Sequence, residues 1–392
     1  QQATKMAEVD PRDPFGHIAH EFKCIDANGD GFLSEDELFS GLQERCWGQD
    51  ELSGLFEKLD TNKDGKISLE EFIEGISGGA MSKKLSAESK NSLGMPLAGF
   101  GCYQLSEEQA ESAVCEALKA GFRHIDSAEA YQNETGVGKG IKASGVPREE
   151  IFITTKVMPG YAAWNMPEKG YDETIAACKK SLEQLQIDYC DLYLIHAPLA
   201  STRVDIWKAC VELKRQGLAK HIGVSNYLPE HFAEIKEAGL EQPEANQIEM
   251  HPLCQQKELS KFMTQSGIVP IAYSSLATMS SWRAEADQGG DKTASLKEEC
   301  QKVQKEVSDR IGKPEAAMLL RWGLQMGYAV LTKSVNPERI KANLDIFTFE
   351  IPESDMAALA VCDKQTPVAW TAAGFDGGVQ NVSVAVTAKA AE

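Results

Sequence analysis

The stretch Ile151-Phe-Ile-Thr-Thr-Lys156 shows the pattern that decides the fold of most of this chain. It is a short apolar run, rich in residues that favour strands, and it ends in a polar side chain. From Leu93 onward, similar runs alternate with helical patterns. The predicted strands are Leu97–Phe100, Phe122–Asp126, Ile151–Lys156, Asp191–Ile195, His221–Val224, Ala245–Ile248, Val269–Tyr273 and Ala329–Thr332.

Helical patterns fall between these strands. They are Glu107–Lys119, Asp172–Leu185, Val204–Gln216, Glu230–Glu237, Lys257–Gln265 and Glu298–Ile311. Eight strands with crossover helices indicate a parallel (β/α)8 TIM barrel, and this part of the chain has the roughly 250 residues usual for that fold. A doubly wound open sheet is the alternative, but no G-x-G-x-x-G sequence follows the first predicted strand.

Polar or reactive residues stand at the carboxyl ends of most predicted strands. A single lysine at such a position is more often a solvated surface group, but a ring of polar residues is hard to explain as core packing. Barrel enzymes build their active sites at this face, so we expect an active site there. The ring consists of Asp126, Lys156, His196, Ser225, Asn226, Gln247, Tyr273, Lys333 and Ser334.

The motifs around these positions resemble those of the aldo-keto reductase family, from about Leu93 to Cys362. In chain order they are Phe122-Arg-His-Ile-Asp126-Ser-Ala-Glu-Ala-Tyr131-Gln-Asn-Glu134, Ile153-Thr-Thr-Lys156, Asp191-Leu-Tyr-Leu-Ile-His196, Ile222-Gly-Val-Ser225-Asn226, Asn246-Gln247-Ile-Glu-Met-His251-Pro and Leu331-Thr-Lys333-Ser334-Val-Asn336-Pro-Glu-Arg339-Ile-Lys-Ala-Asn343. The resemblance implies an enzyme that uses NADPH to reduce small or medium aldehydes and ketones to alcohols.

The resemblance further implies a catalytic tetrad of Asp126, Tyr131, Lys156 and His196. Carbonyl reduction needs a hydride at carbon and a proton at oxygen, and Tyr131 would give the proton. Because a tyrosine has an ordinary pKa of about 10, we expect the Lys156 ammonium to lower it. Asp126 would pair with Lys156, and His196 would donate a hydrogen bond to the substrate oxygen.

A nicotinamide cofactor site without a Rossmann fold is also implied by the resemblance. Tyr273 would stack on the nicotinamide, and Ser274 and Leu276 would lie along the pyrophosphate. The carboxamide would be held by Ser225, Asn226 and Gln247. The adenosine side, including a 2′-phosphate that favours NADPH over NADH, would be held by Lys333, Ser334, Asn336, Arg339 and Asn343. The same segment also fits a helix start, with Asn336 as N-cap and Pro337 in the first turn.

Three departures from the family pattern are Ala342 where many members carry Glu, which would loosen the adenine contact, Ser275 where Pro is usual, which would make the cofactor loop more mobile, and Ala197 where many carry Trp. The segment Pro198–Val204 is also short, so we expect an open substrate pocket. Residues Ala277–Asp291 are predicted to form an extended loop over the cofactor. The predicted pocket residues are Tyr103, Met158, Trp164 and Ala197.

Two acidic twelve-residue loops precede the barrel, namely Asp26-Ala-Asn-Gly-Asp-Gly-Phe-Leu-Ser-Glu-Asp-Glu37 and Asp60-Thr-Asn-Lys-Asp-Gly-Lys-Ile-Ser-Leu-Glu-Glu71. Both match the calcium-loop pattern D-x-[DN]-x-[DN]-G-x5-E at every fixed position. Calcium takes about six to eight oxygen ligands. The expected ligands are side-chain oxygens of Asp26, Asn28, Asp30, Ser34, Glu37, Asp60, Asn62, Asp64, Ser68 and Glu71, with the backbone carbonyls of Phe32 and Lys66.

These loops and their flanks resemble an EF-hand pair of the calmodulin type, which implies two bound Ca²⁺ ions. Fusion to an enzyme suggests that calcium controls turnover, with the hands contacting their own barrel or a partner helix. One alternative is that the hands serve stability, buffering or tethering. Another is a calcium-dependent scaffold or redox-reporting subunit whose barrel binds cofactor but turns over little.

The expected organisation is an EF-hand pair over residues 12–78, a linker over 79–92, the barrel over 93–365 and a C-terminal tail over 366–392. The linker sequence is small and polar, as is typical of flexible connections. The tail is rich in Ala, Val and Gly, and we expect it to extend freely or to lie over the barrel.

The chain has 392 residues and a net charge of −19. This acidity disfavours nucleic acid and anionic membranes as partners, and no apolar stretch reaches the roughly 18 residues of a membrane span. Ten cysteines without a C-x-x-C pair are typical of reduced intracellular thiols. We expect a cytoplasmic monomer, with organelle import left open because the first residue is Gln1 rather than Met.

Overall fold

The computed structural model describes residues 22, 25–43, 49–69, 71–72, 85–160, 165–279 and 290–369. The chain divides into two compact units, Gln1–Leu85 and Ser86–Glu392. The first contains both acidic loops, and the second contains the predicted barrel.

The two acidic loops of the first unit are joined by a short antiparallel strand pair. Strand β1 (Phe32–Leu33) lies in the first loop and β2 (Ile67–Ser68) in the second, with Leu33 opposite Ile67. Both of these side chains are fully buried. Helix α1 (Glu35–Gln43) begins within the end of the first loop, and α2 (Gln49–Leu59) precedes the second. The strand pair therefore couples the two loops through backbone and core.

Eight parallel strands of the second unit close into a barrel in the order β10-β3-β4-β5-β6-β7-β8-β9. Their bounds are β3 (Ala98–Gly101), β4 (His124–Asp126), β5 (Phe152–Val157), β6 (Cys190–Ile195), β7 (Ala219–Ser225), β8 (Ala245–Glu249), β9 (Val269–Tyr273) and β10 (Ala329–Thr332). The predicted (β/α)8 barrel is confirmed, and no strand end differs from its predicted position by more than two residues.

Helices surround this barrel. In the described part of the unit they are α3 (Glu107–Ala120), α4 (Glu134–Ser144), α5 (Tyr171–Leu185), α6 (Arg203–Arg215), α7 (Pro229–Glu237), α8 (Lys257–Gln265), α9 (Gly290–Ile311), α10 (Glu315–Gln325), α11 (Pro337–Ala342) and α12 (Glu353–Ala360). Short 3-10 turns occur at Glu129–Tyr131, Arg148–Glu150, Ala277–Met279 and Asp345–Phe347.

Helices α4, α10 and α12 were not among the predicted ones, and α4 shows why. Its glycines at 136, 138 and 140 lower helix propensity. A Cβ at Gly136 would stand 2.1 Å from the carbonyl oxygen of Glu107, and one at Gly138 would stand 2.4 Å from that of Leu185. The close packing of α4 against α3 and α5 thus requires glycines, and the same glycines weaken the helical pattern in the sequence.

The extended loop predicted for Ala277–Asp291 is partly wrong. Ala277–Met279 forms a 3-10 turn, and α9 begins at Gly290 rather than at the predicted Glu298. Residues 280–289 lie outside the described part of the chain. The same holds for residues 79–84 of the expected linker and 370–392 of the expected tail.

Apolar side chains fill the barrel beneath its carboxyl-end face. One buried cluster comprises Met95, Phe152, Leu192, Leu194, Ala245, Val269, Ile271, Ala329 and Leu331. All eight cysteines of the described ranges are free and buried. Within those ranges, no helix has the length and apolar character needed to cross a membrane.

Candidate active site

Three strands and one turn deliver the expected tetrad to the same end of the barrel. Asp126 is the last residue of β4, Lys156 lies near the end of β5, and His196 follows β6 directly. Tyr131 ends the 3-10 turn that follows β4. Because all eight strands are parallel, their carboxyl ends form one face, and these four side chains meet there.

Lys156 is the centre of this group and is fully buried. Its Nζ donates to Oδ1 of Asp126 at 2.6 Å and to the carbonyl of Ser127 at 2.8 Å, and it lies 3.4 Å from the hydroxyl of Tyr131. The other oxygen of Asp126 accepts from Nε2 of Gln247 at 2.7 Å. Both charges of this buried ion pair are therefore also hydrogen-bonded, which offsets their loss of water.

The acidity of Tyr131 differs from the sequence-based expectation. Burial raises the pKa of the phenol well above its ordinary value, and the negative charge of Asp126 raises it further. The net shift is therefore opposite to the one that Lys156 was expected to produce, because burial and Asp126 outweigh an ammonium that is 2.6 Å from Asp126 and 3.4 Å from the Tyr131 hydroxyl. Tyr131 is thus a neutral phenol, and its ring contacts those of Tyr103 and His196.

His196 is held in its neutral form. Burial, and to a lesser degree the Lys156 ammonium, lowers the pKa of its imidazole to about 3. Its Nδ1 is buried and has no partner within the described part of the protein. Its backbone carbonyl accepts from Nδ2 of Asn226 at 3.1 Å. A neutral imidazole has one N–H to donate, which suits a group that polarises a carbonyl oxygen.

The residues expected at the nicotinamide form a connected polar layer. Ser225 Oγ donates to the carbonyl of Gln247 at 2.7 Å, and Asn226 Nδ2 donates to Ser225 Oγ at 3.1 Å. The hydroxyl of Tyr273 donates to Oδ1 of Asn226 at 2.8 Å. Asn226 has a φ of 62°, in the left-handed region that asparagine tolerates better than most residues. This layer preorganises amide and hydroxyl groups around Tyr273.

The residues expected at the adenosine side follow β10. Lys333 and Arg339 are exposed, while Ser334 and Asn343 are buried. Asn336 caps α11 by accepting from the N–H of Arg339 at 3.0 Å, as the helix-start interpretation predicted. Nδ2 of Asn343 donates to Oγ1 of Thr332 at 2.8 Å, so this amide group already has a partner within the barrel.

A cavity of about 320 Å³ unites most of these residues. It is lined by Gly101, Tyr103, Gln104, Asp126, Tyr131, His196, Ser225, Asn226, Gln247, Tyr273, Ser274, Ser275, Leu276, Ala277, Leu331, Thr332, Lys333 and Ala369. Phenol, imidazole and the polar layer thus face one space. This is an arrangement that can bind a carbonyl compound beside a flat aromatic ligand.

The expected substrate pocket is only partly recovered. Tyr103 lines the cavity, whereas Met158 and Ala197 are buried and do not line the cavity that the described residues form. Trp164 lies outside the described residues. The sequence reasoning missed Gln104 and Ala369. The positive φ of Gln104 (60°) carries no sequence signal, and Ala369 is far from every motif.

The first acidic loop has its oxygen atoms ordered by its own backbone. Oδ1 of Asp26 accepts from the N–H of Gly29 at 2.8 Å, and its Oδ2 accepts from that of Gly31 at 3.0 Å. Glu37 accepts from the N–H groups of Asn28 and Ser34. The hydrogen bonds from Ser34 lower the pKa of Glu37, so this carboxylate stays ionised.

The second loop repeats this frame around Asp60 and Glu71. Asp60 accepts from the N–H groups of Asp64 and Gly65, and Glu71 accepts from those of Asn62 and Ser68. Burial acts to raise the pKa of Glu71, but these hydrogen bonds outweigh it and lower the pKa to about 2.

The donor set of both loops fits a hard cation, because it consists of carboxylate, amide, hydroxyl and carbonyl oxygens. The glycine at position 6 of each loop has a positive φ, 84° at Gly31 and 83° at Gly65, as the sharp turn requires. Across the described ranges, no three His, Cys, Asp or Glu side chains are gathered closely enough to hold a metal ion by themselves. Amide, hydroxyl and carbonyl oxygens would therefore have to complete each set.

Known protein families match residues in both units. The aldo/keto reductase family matches residues 92–364, and the EF-hand domain pair matches residues 15–77. An aldo-keto reductase of Mycolicibacterium smegmatis is 41% identical over 283 residues, which cover 71% of this chain and 93% of the relative.

Solved structures agree with this assignment. An aldo/keto reductase from Brucella melitensis is 39% identical, has a TM-score of 0.59, and the match covers 68% of this chain and 95% of that one. An aldo-keto reductase of Bombyx mori, solved in complex with NADP, is 29% identical with a TM-score of 0.60 and coverages of 70% and 91%.

Both resemblances drawn from the sequence motifs are confirmed by these matches. The family acts on small carbonyl compounds, which agrees with a phenol and a neutral imidazole facing one cavity. The chain therefore belongs to the aldo/keto reductase family of oxidoreductases and carries an EF-hand pair in its N-terminal unit.

Proposed function

We propose that this protein uses NADPH to reduce aldehydes or ketones to alcohols, with Tyr131 as the proton donor, and that calcium binding to its EF-hands modulates turnover. The observation that carries the reductase part is the single cavity shared by Tyr131, His196 and the polar layer around Tyr273. A carbonyl oxygen in this cavity can meet both the phenol and the imidazole.

The division of labour follows from the geometry. Bound NADPH would supply the hydride at the carbonyl carbon. His196, neutral at physiological pH, would donate a hydrogen bond to the carbonyl oxygen and orient it. Tyr131 would pass its proton to that oxygen, leaving a phenolate 3.4 Å from the Lys156 ammonium.

The high pKa of Tyr131 is compatible with this role. An alkoxide is a stronger base than a phenolate, so proton transfer from Tyr131 to the developing alkoxide is favourable even from a phenol whose pKa is raised. The site must stabilise the phenolate that remains after proton transfer. The buried ammonium of Lys156 does so through a short-range electrostatic attraction. Asp126 keeps Lys156 in place for that purpose.

Preference for NADPH over NADH is supported by the segment after β10. Lys333 and Arg339 bring two cations near Ser334 and Asn336, a set suited to a phosphate dianion. The NADP complex of the Bombyx mori relative also supports this cofactor. Tyr273 and the polar layer would receive the nicotinamide, since they line the same cavity as Tyr131.

The reductase proposal is tested by following the loss of NADPH absorbance with an aromatic aldehyde. Wild-type protein should turn over. Tyr131→Phe should lose about a hundredfold or more in kcat, the scale of general acid catalysis, while NADPH affinity changes by less than about twofold. Wild-type turnover in Tyr131→Phe would exclude Tyr131 as proton donor.

The calcium proposal rests on two loops with the same hydrogen-bond frame and ionised closing glutamates. Turnover should differ between saturating calcium and a chelator. In a Glu37→Gln/Glu71→Gln variant, which weakens the closing ligand of both loops, that difference should disappear. Calorimetry establishes that the wild-type loops load. Equal wild-type turnover with loaded and empty loops would remove the regulatory role and leave the reductase proposal intact.

A further inference from the structure

A buried carboxylate at the end of β8 holds the last described segment of the chain. Glu249 is the final residue of β8 and is 1% exposed. Its Oε1 accepts from the backbone N–H of Val368 and from that of Ala369, the latter at 2.8 Å. The same oxygen lies 3.0 Å from Nε2 of His251. One carboxylate oxygen thus secures two successive peptide groups that are distant in sequence.

The segment that Glu249 secures forms part of the active-site wall. Ala369 lines the cavity together with Tyr131 and His196. Val368 packs in a buried cluster with Leu253, Ala277, Cys300 and Cys362. Ala277 from this cluster lines the cavity as well. A change in where residues 367–369 lie would therefore change the shape of the cavity.

The residues that precede this segment are hydrogen-bonded to the loop after β8. The N–H groups of Lys364 and Thr366 donate to the carbonyl of Leu253 at 3.0 and 3.2 Å. Nε2 of Gln255 donates to the carbonyl of Leu359 at 2.9 Å. These bonds bring the chain alongside β8, but they end at Thr366. Beyond Thr366, the backbone N–H groups of Val368 and Ala369 donate to Glu249.

The electrostatic setting suits a carboxylate that stays in place. Burying a charge is costly unless donors and a countercharge accompany it. Here two backbone N–H groups and His251 meet Oε1 directly, while Oε2 is buried without a hydrogen-bond partner in the described part of the protein. The buried ammonium of Lys297 on α9 lies within electrostatic reach of Glu249. Neither the tetrad nor the cofactor layer uses Glu249, although it lies two residues after Gln247.

We propose that Glu249 is a positioning residue that fixes residues 367–369 as a wall of the cavity and thereby determines how the site accepts the larger carbonyl compounds. The inference rests on the proposed reductase function, since it assigns the wall to the carbonyl-binding space. The proposal implies that small aldehydes bound between Tyr131 and His196 do not reach the wall, whereas larger aldehydes contact it.

The test compares wild-type protein with Glu249→Ala and Glu249→Gln, using propanal and a bulky aromatic aldehyde. Glu249→Ala should raise KM for the bulky aldehyde about tenfold and leave KM for propanal and the Kd of NADPH within about twofold. Glu249→Gln keeps an acceptor oxygen at the same position, so it should retain the wild-type ratio of the two KM values. A purely structural defect would change both substrates alike.

Hydrogen exchange of the full-length protein gives the second readout. The amides of Val368 and Ala369 should exchange slowly in wild type and in Glu249→Gln, and faster in Glu249→Ala. If Glu249→Ala does not fold, Val368→Pro removes one of the two N–H donors and should give the same separation of KM values. Equal changes for both aldehydes, or unchanged exchange in Glu249→Ala, overturns the proposal. If the wild-type protein is inactive, the reductase function is refuted instead. The exchange experiment by itself then shows whether Glu249 anchors Val368 and Ala369.

Discussion

The ammonium of Lys156 lies 2.6 Å from Oδ1 of Asp126, and both side chains are almost completely withdrawn from water. An ion pair at this depth adds little net stability, because its attraction mainly offsets the loss of hydration. Removing one partner is different, since it leaves an uncompensated charge in the interior. The Lys156–Asp126 ion pair holds Nζ beside the Tyr131 hydroxyl. Losing one partner should therefore reduce both the stability of the barrel and the activity of the site.

Replacing the carboxylate tests this link. Asp126→Asn should lower the free energy of unfolding by about 3–5 kcal/mol and should also reduce kcat, because Lys156 loses its countercharge. Urea denaturation measures the first effect and NADPH oxidation the second. Asp205→Asn breaks the exposed pair with Lys208 and should cost less than about 1 kcal/mol. Similar losses in the two variants would contradict the role of burial.

The cations after β10 should select the cofactor. Lys333→Met and Arg339→Met should each weaken NADPH binding about tenfold, because each removes a charge-assisted contact to a phosphate dianion, and should leave NADH binding within about twofold. Fluorescence titration measures both affinities. Lys341→Met is the matched control, since Lys341 is an exposed cation on the same short helix. If Lys341→Met weakens NADPH binding as much, the selectivity is only general electrostatic attraction.

His124 and His196 should make the barrel less stable in mild acid. Burial lowers the pKa of His196 to about 3 and that of His124 to about 4, whereas an unfolded histidine titrates near 6.5. Below about pH 6.5 the unfolded chain therefore binds protons that the native protein does not, and the free energy of unfolding falls as the pH is lowered toward about 4. Urea unfolding at several pH values measures the slope.

Substitution of one histidine separates its contribution. His196→Gln should make the dependence of stability on pH shallower across that window, because it removes one group that is protonated only after unfolding. The comparison with wild type uses the same urea series. An unchanged slope would show that His196 binds its proton equally well in the native protein.

The glycines of α4 should be required by packing. Gly138→Ala places a Cβ 2.4 Å from the carbonyl oxygen of Leu185, a backbone atom that cannot move alone, so it should cost about 1–3 kcal/mol. Gly54→Ala in α2 meets no atom within 4 Å and should be neutral or stabilise its own unit by about 0.5–1 kcal/mol. Thermal unfolding distinguishes them, and an unchanged Tm in Gly138→Ala would contradict the close contact.

Periodicity predicted the barrel almost completely. The observed bounds of Val269–Tyr273, Ala329–Thr332 and Lys257–Gln265 equal the predicted ones. The strand Ala329–Thr332 is buried at every position and the helix Lys257–Gln265 along one face, so in both segments the apolar pattern and the tertiary environment agree. Helix α4 was not predicted because its glycines, which allow close contact with Glu107 and Leu185, lower its helix propensity. Of the expected pocket residues, Met158 and Ala197 do not line the cavity that the described residues form.

The sequence by itself determined the two units, the order of the strands and the residue types at the carboxyl ends of the strands, because strand and calcium-loop signals are local and repeat at fixed spacing. Only the tertiary structure decided that Tyr131 has a raised pKa, that Asp126 is shared by Lys156 and Gln247, and that Ala369 reaches the cavity. Each of these depends on burial or on contact between residues distant in the chain. Neither the dielectric environment of a side chain nor a contact between residues as distant as Glu249 and Ala369 is encoded in local spacing.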